Sequence, residues 1–371
     1  MSELLIKGGL VVTPTEERFC DLLIVGNRIA ALGTELQVSE NCRVIDAAGA
    51  YVSPGLLDLQ VNGGPDCDFW AELSLERVRA FCRRFLESGV TSFLPTLITG
   101  SLERLKTNRD FLKPLLGLNN QAGSGYCRMP GIHFEGPCLS PQRPGVHPVE
   151  HLQALELSVL EELIDSASVL MTLAPELDPS GDCLHYLKEH SVIASLGHSN
   201  ASFEEARLAF SRGVNLVTHL FNAMPPLHHR QGGACLAALL AESVHCCLIP
   251  DGLHVQPEII ELVLKCKGVE NTVLVSDIAA IGTSRGGLVG SSLVLDQGVR
   301  NLVEWGIAGF SESVRMASYN PACLLGLEDE LGQIKPGAFA DIVLWERQGL
   351  LIRKVIFDGA PVETNLAAPT C

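Results

Sequence analysis

The chain has 371 residues, a formal net charge of −16 at pH 7, and a composition that is 47% hydrophobic and 19% charged. This length suits a barrel of about 250 residues together with a smaller domain. The negative charge argues against nucleic acid as a partner, because the protein could not neutralise a phosphate backbone. No apolar run approaches the roughly 20 residues that span a bilayer, and the first residues do not resemble a signal peptide.

The cysteine pattern indicates the redox compartment. There are 13 cysteines, an odd number, and several lie inside apolar runs. Such residues are typical of small buried hydrophobic side chains in a reducing compartment and not of a disulfide framework. We therefore expect a cytoplasmic protein without a membrane partner.

Both ends of the chain are predicted to be rich in strands. Strand-like runs precede and follow Gly26-Asn27, which is a hairpin turn signal. Strands return near the other end, at 341–345 and 350–357. We predict that residues 1–53 and 333–371 form one small β-sandwich domain, with a barrel of residues 54–332 inserted between them.

From Pro54 onward the pattern alternates between strands and helices. Strands are predicted at 56–61, 91–97, 131–136, 168–176, 192–198, 214–221, 245–253 and 272–277. Helices are predicted at 74–88, 102–116, 158–166 and 257–265, after Ser202, and within 295–325. Ser74 and Ser202 are candidate caps, and Ser158 with Glu161 has the spacing of a capping box. Eight strands that alternate with helices predict an α/β fold, a (β/α)8 TIM-type barrel.

Ionisable side chains occur where several of these strands end, the face on which barrel enzymes carry their active sites. Glu135, His198 and His219 follow three different strands. A carboxylate and two imidazoles suit a divalent ion, zinc above all, and leave a fourth position to water. Iron, manganese or cobalt could use the same ligands. A single histidine at a strand end is more often structural, but three candidates on one barrel favour the metal site.

Three further polar residues lie on the same predicted face. Asp277 ends the eighth strand, where a carboxylate could take a proton from water and pass it to a leaving amine; the alternative is that it only caps the next loop. Gln60 and Asn62 share one face of the first strand. Neutral amides are poor zinc ligands, so we predict that they support the site through water or bond the loop, and that one ion is held.

Other loop residues could recognise a substrate. The guanidinium of Arg230 matches phosphate oxygens bidentately, although a solvated arginine is nearly as common in such a loop. His147 and His254 could donate to a carbonyl or hydroxyl group, or could be exposed. The pairs Gly63-Gly64 and Gly232-Gly233 are loop signals and do not form a phosphate-binding fingerprint.

Seven motifs now show a resemblance that covers nearly the whole chain. They are Pro54-Gly-Leu-Leu-Asp-Leu-Gln-Val-Asn-Gly-Gly64, His133-Phe-Glu-Gly-Pro137, Leu173-Ala-Pro-Glu176, Gly197-His-Ser-Asn-Ala201, Thr218-His-Leu-Phe-Asn-Ala-Met224, Asp251-Gly-Leu-His-Val255 and Val275-Ser-Asp277. In this order they resemble the N-acetylglucosamine-6-phosphate deacetylases, a family of the amidohydrolase superfamily.

The resemblance implies a role for each site residue. It matches Glu135, His198 and His219 to metal ligands and Asp277 to the acid/base. Gln60 and Asn62 replace the His-x-His of the superfamily, which implies one tightly held ion. Substrate contacts are implied for Val146, His147, Asn222, Ala223, His254, Leu288, Val289 and Gly290. Arg230 matches a phosphate-binding arginine that reaches across a homodimer interface.

The sequence hypothesis is therefore hydrolysis of the acetamide of N-acetyl-D-glucosamine 6-phosphate to D-glucosamine 6-phosphate and acetate, in amino-sugar catabolism. The segment between Asp277 and Gly290 is shorter than in the family, which leaves the sugar specificity open. Two alternatives remain: an amidohydrolase that acts on another N-acyl sugar or a cyclic amide, and a sugar-phosphate sensor without catalysis. Asp277 beside three metal ligands favours catalysis over the sensor.

Overall fold

A computed structural model describes residues 2–65, 67–119, 124–280 and 290–363. The chain begins with five strands: β1 (Glu3–Val12), β2 (Glu17–Val25), β3 (Arg28–Gly33), β4 (Arg43–Asp46) and β5 (Ala50–Pro54). The alternating burial of β2 directs Cys20, Leu22 and Ile24 into a small core. Gly26-Asn27 joins β2 to β3, as the sequence predicted, and Gly26 adopts φ +64°, which glycine allows without strain.

The barrel follows directly. Its first strand is β6 (Leu56–Val61), after which β7 (Gly63–Gly64) and β8 (Cys67–Asp68) form a short hairpin. The other barrel strands are β9 (Val90–Ile98), β10 (Ile132–Glu135), β11 (Ser168–Leu173), β12 (Ile193–Leu196), β13 (Leu216–Val217), β14 (His245–Leu248) and β15 (Thr272–Leu274). They pair in chain order, and every pair is parallel.

The segment after β15 closes the barrel against β6. The backbone N–H of Asp277 donates to the carbonyl of Gln60 at 3.0 Å, and that of Asn62 donates to Ile278 at 2.9 Å. These bonds bring the end of the last strand beside the end of the first. The predicted eight-stranded α/β barrel is confirmed.

Helices cover the outside of the barrel. They are α1 (Leu75–Glu87), α2 (Leu102–Leu112), α3 (Leu157–Leu163), α4 (Asp182–Glu189), α5 (Phe203–Ser211), α6 (Gly233–Leu240), α7 (Pro257–Lys267), α8 (Leu295–Glu304), α9 (Phe310–Ala317) and α10 (Tyr319–Leu324). Ser74 caps α1, and Ser202 with Glu205 forms a capping box on α5. The capping box predicted for α3 is wrong, because that helix starts one residue earlier and Ser158 lies inside its first turn. Within the described ranges, no helix has the length and apolarity that crossing a membrane requires.

The end of the chain returns to the sheet in which it began. The strands β16 (Ile342–Glu346), β17 (Ile352–Phe357) and β18 (Ala360–Pro361) give the order β18-β17-β16-β5-β1-β2-β3, with β4 paired to β1. The antiparallel pairing of β16 with β5 joins the two ends of the chain. The prediction that both termini build one small β-domain beside the barrel is confirmed.

A buried arginine ties this sheet to the barrel. Arg128, which precedes β10, is fully buried and donates to both carboxylate oxygens of Asp341, at 2.6 and 3.0 Å. It also donates to Asp358 at 2.9 Å, and its guanidinium lies 3.7 Å from the ring centre of Phe339. The planar fork of arginine therefore joins loops from both parts of the chain.

Candidate active site

Three side chains meet at the carboxyl ends of the barrel strands. Glu135 is the last residue of β10, while His198 and His219 each stand two residues beyond the ends of β12 and β13. Oε1 of Glu135 lies 3.2 Å from Nε2 of His198 and 2.9 Å from Nε2 of His219. The two ring nitrogens are 3.2 Å apart. Ligand atoms about 2.0 to 2.1 Å from one tetrahedral ion lie roughly 3.3 Å from each other, so this triangle has suitable dimensions.

The hydrogen bonding of His198 tests whether a cation fits. Its Nδ1 lies 3.1 Å from the carbonyl oxygen of Arg143, which can only accept, so Nδ1 carries the proton. In the neutral ring, Nε2 then directs a lone pair toward an imidazole nitrogen and a carboxylate oxygen. All three groups are buried. A carboxylate oxygen and two imidazole nitrogens that face one point are stabilised by a positive charge between them, so the cluster could hold a divalent metal ion.

Unusual backbone conformations accompany the site. His198, His219 and Asp277 have φ values of +47°, +28° and +50°. Two further positive values, at Phe221 and Ala223, lie in the turn that follows His219. Left-handed backbone costs an L residue roughly 1 to 2 kcal/mol. The strained residues include three whose side chains line the pocket, and backbone strain of this kind is common at functional sites.

Neighbouring segments hold His198 in position. Its carbonyl accepts the backbone N–H of Ser140 at 2.9 Å. The half-buried carboxylate of Glu176 accepts the hydroxyl of Ser199 at 2.7 Å and the backbone N–H of Asn200 at 2.6 Å. Gly145 packs so closely that a Cβ on it would lie 2.9 Å from Cε1 of His198. The ring therefore has little freedom to turn away.

Glu135 is held by a third contact in addition to the two imidazoles. Nε2 of Gln60 donates to its Oε1 at 3.0 Å. Burial opposes ionisation of this carboxyl group, yet its contacts with the imidazoles of His198 and His219 keep its pKa well below the usual value. Glu135 is therefore a carboxylate at neutral pH, the form that binds metals.

Asp277 lies in the same pocket. Nδ2 of Asn62 donates to its Oδ1 at 2.6 Å. Burial, reinforced by the nearby charge of Glu135, raises the pKa of Asp277 to about 7. A carboxyl group that titrates near neutrality can both accept and return a proton during a reaction.

His147 presents an N–H to the pocket. The backbone N–H of Thr99 donates to Nδ1 of His147 at 3.3 Å, and the Thr99 hydroxyl lies 2.8 Å from the same atom. Because Nδ1 accepts, the proton of the neutral ring is on Nε2, which lies 3.8 Å from Oε2 of Glu135. Burial and the adjacent His198 lower the pKa of His147 to about 3, so the ring is neutral.

A cavity of about 170 Å³ lies in front of these groups. The predicted site residues that line it are Asn62, Glu135, Val146, His147, His198, His219, Asn222, Ala223, His254, Asp277 and Gly290. Gln60 is buried behind Glu135, and Arg230 is exposed and does not belong to the described lining. Leu288 and Val289 lie outside the described residues.

Sequence reasoning missed several functional neighbours. Trp70 and Ile98 line the cavity, and Asp251 holds His254 through a 2.6 Å contact between its Oδ2 and Nδ1 of the ring. Thr99 follows directly after β9, so the strand-end rule could have found it had uncharged residues been included. Trp70 follows the β7–β8 hairpin, and its sequence context carries no comparable signal.

The site geometry agrees with comparisons to known proteins. A sequence profile of the amidohydrolase family matches residues 51–364. The N-acetylglucosamine-6-phosphate deacetylase of Mus musculus is 32% identical over 87% of this chain and 87% of its own length. The N-acetylgalactosamine-6-phosphate deacetylase of Escherichia coli O157:H7 is 31% identical over 93% of this chain and 96% of its own.

Solved structures include a close match. An aspartate-to-alanine mutant of N-acetyl-D-glucosamine-6-phosphate deacetylase from Mycobacterium smegmatis, in complex with N-acetyl-D-glucosamine-6-phosphate, superposes with a TM-score of 0.87. It is 26% identical and covers 98% of this chain and 100% of its own. The matching barrel, terminal sheet and sequence show that this chain belongs to the amidohydrolase family, in the branch that contains the N-acetylglucosamine-6-phosphate deacetylases.

Proposed function

We infer that this chain hydrolyses the acetamide of N-acetyl-D-glucosamine 6-phosphate to D-glucosamine 6-phosphate and acetate, a reaction of amino-sugar catabolism. The observation that carries this conclusion is Asp277 in one pocket with Glu135, His198 and His219. A sensor without catalysis has no need of a carboxyl group whose pKa burial raises to about 7.

We propose zinc as the ion that Glu135, His198 and His219 hold, because one carboxylate and two imidazoles are ligands that zinc favours. When bound, such an ion polarises a carbonyl group and lowers the pKa of a coordinated water toward neutrality. The chain's own contribution is to keep the three ligand atoms within 4.8 Å of one another.

Asp277 is the proton carrier in this proposal. As a carboxylate it takes a proton from the water whose oxygen bonds to the amide carbon. As a carboxylic acid it then gives that proton to the amide nitrogen, the C–N bond breaks, and its electron pair stays on nitrogen. The second proton of the water passes from the new carboxylic acid to the amine, so the products at neutral pH are acetate and the ammonium form of the sugar, and Asp277 returns to its starting state.

The two pocket histidines orient the sugar and its acyl group. The Nε2–H of neutral His147 can donate to the carbonyl oxygen as negative charge develops there. Asp251 accepts from Nδ1 of His254, which leaves Nε2 of that ring for a hydrogen bond with a sugar hydroxyl. Asn222 and Ala223 present polar backbone and side-chain atoms along the same wall.

We propose that Arg230 binds the phosphate in the site of a second copy, so that the protein works as a homodimer. Its exposure, and its absence from the described lining of its own pocket, support a role at an interface. We also propose a cytoplasmic location. Supporting this, the described part of the chain contains no disulfide bond.

Acetate release from a panel of sugars tests the assignment. We expect turnover of N-acetyl-D-glucosamine 6-phosphate that a chelator abolishes, and much slower turnover of the unphosphorylated sugar. Asp277→Ala should keep its metal and lose roughly 10²- to 10⁴-fold in kcat. No acetate from the metal-loaded wild type would contradict the proposed function, and near-normal kcat in the variant would remove Asp277 from the mechanism.

The galactosamine epimer is a second candidate substrate. The relative from Escherichia coli O157:H7, which is named for that epimer, is nearly as similar as the mouse enzyme, at 31% against 32% identity. The same acetate assay with N-acetyl-D-galactosamine 6-phosphate distinguishes the two, through the ratio of their kcat/KM values.

A further inference from the structure

We propose that Asn62 is a catalytic residue, whose Oδ1 accepts the N–H of the substrate amide beside Asp277. This inference rests on the proposed deacetylation and specifies how the scissile nitrogen is oriented. The proposal gives Asn62 a direct contact with the substrate, whereas the sequence analysis predicted only that Asn62 supports the site through water or bonds the loop.

The first observation is that Asn62 is fixed. Its backbone N–H donates to the carbonyl of Ile278 at 2.9 Å, and its carbonyl accepts the backbone N–H of Phe69 at 3.0 Å. Its side chain is held by the 2.6 Å bond from Nδ2 to Asp277, and the residue is only 4% exposed. A group held at both backbone and side chain is preorganised for contact with a ligand.

The second observation is an unused acceptor. Among the described residues, Oδ1 of Asn62 is buried without a hydrogen-bond partner, although Asn62 lines the pocket. The orientation of the amide is set by Asp277, since a carboxylate oxygen needs the NH₂ group and not the oxygen. Buried acceptors are almost always satisfied, so an orphan in a binding pocket indicates a donor on the ligand.

The reaction supplies such a donor at this place. An N-acetyl group has one N–H, on the nitrogen that Asp277 must protonate. As the carbonyl carbon becomes tetrahedral, this nitrogen gains a lone pair, whose direction depends on where the N–H points. An N–H held by Asn62 turns the lone pair toward the neighbouring Asp277. The proton of Asp277 then passes to nitrogen, and the C–N bond breaks with its electrons on nitrogen.

Asn62→Leu, which has similar volume and no polar atom, tests the assignment on two substrates. One is N-acetyl-D-glucosamine 6-phosphate, and the other is 2-O-acetyl-D-glucose 6-phosphate, an ester without the N–H. Loss of the bond to Asp277 slows both reactions, whereas loss of the acceptor slows only the amide. We expect the kcat for the amide to fall about 10²-fold or more, and at least about tenfold more than the kcat for the ester.

Asn320→Leu is the matched control. Asn320 is buried and donates to the carbonyls of Val269 and Thr272 at 2.7 Å, away from the pocket. This variant should lower thermal stability and leave kcat for both substrates within about twofold of wild type, as expected for a purely structural asparagine.

Two results would overturn the proposal: amide turnover of Asn62→Leu within about threefold of wild type, or equal losses on amide and ester. Equal losses in kcat would indicate that Oδ1 of Asn62 contacts the attacking water, because the hydrolysis of both substrates needs that water. A wild-type protein that releases no acetate from the amide would instead refute the proposed function, and that is measured first.

Discussion

At the residue scale, the position of the His198 ring depends on its close contact with Gly145. Gly145 adopts φ +56°, and a Cβ built on it lies 2.9 Å from Cε1 and 3.3 Å from Nδ1 of His198. That ring also donates to the carbonyl of Arg143, two residues before the glycine. Any side chain at position 145 would therefore push on a proposed metal ligand and on its hydrogen bond together.

We expect Gly145→Ala to reduce metal affinity and kcat/KM by about tenfold or more, because losing the supporting contact of a ligand histidine typically costs 10- to 100-fold. The measurement is competition for the ion with a chelator, together with acetate-release kinetics. Gly326→Ala is the control, since Gly326 has φ +66° and nothing within 4 Å of a built Cβ. Equal effects of the two substitutions would show that backbone strain alone is responsible.

Some of the site was predictable from individual residues and some was not. Ionisable groups at strand ends were found in the sequence because parallel strands of a barrel deliver their carboxyl ends to one face. The residues that hold the site in position were not found, because they join segments that are far apart in the chain. Thr99 forms a hydrogen bond with His147, and Glu176 forms one with Asn200. The protonation of a ring nitrogen follows from such contacts and has no local sequence signal.

At the scale of elements, one face of β6 organises the barrel mouth. Asp58 and Gln60 alternate along the strand, and Asn62 continues the same spacing directly after its end. They bond, respectively, to the backbone of Ser276, to Glu135 and to Asp277. The first strand thus aligns the end of the last strand with the proposed metal ligands.

The charge of Asp58 should appear in the pH dependence of stability. Burial raises its pKa from 3.8 to about 7, against hydrogen bonds from Ser276 and Gln60. Because the folded state has the higher pKa, it binds a proton that the unfolded chain releases between about pH 4 and pH 7. This contribution to the free energy of unfolding is present at low pH and is lost as the pH rises through about 7.

Urea unfolding of wild type and Asp58→Asn at pH 5 and pH 8 measures this effect. The stability of the variant relative to wild type should rise by roughly 2 to 3 kcal/mol between the two pH values, because the amide does not titrate. A difference between the two proteins that stays constant with pH would mean that Asp58 is not the buried titrating group.

Three elements differ from the sequence prediction, and each difference has a physical explanation. The sequence predicted a strand at 214–221, but β13 has only two residues, because His219 and Phe221 turn into positive φ. The unpredicted α6 begins at two glycines and is apolar on nearly all sides, so it lacks helical periodicity. The unpredicted α4 follows Gly181 at φ +86° and has no side-chain cap.

At the scale of the molecule, Arg128 joins the barrel to the terminal sheet. Removing one partner of a buried ion pair costs about 3 to 5 kcal/mol, because the remaining charge is left in a low dielectric. We expect Arg128→Met to lower the free energy of unfolding by that amount, since the buried Asp341 loses its guanidinium. The kcat per folded molecule should not change, because Arg128 does not line the described pocket.

Lys106→Met is the comparison for this variant. Lys106 bonds Glu162 at 2.6 Å on the surface, where both side chains are more than a third exposed. Such a pair contributes less than about 1 kcal/mol. If urea unfolding gave the same small loss for Arg128→Met, Arg128 would not be a buried clamp between the two parts.

Metal content measured directly on purified protein tests the central claim, that Glu135, His198 and His219 share one divalent ion beside Asp277. Elemental analysis should find about one ion per wild-type chain and per Asp277→Ala chain. It should find very little in His219→Ala, because two remaining ligands bind too weakly to survive dialysis. A His219→Ala protein that keeps about one ion per chain would contradict the account.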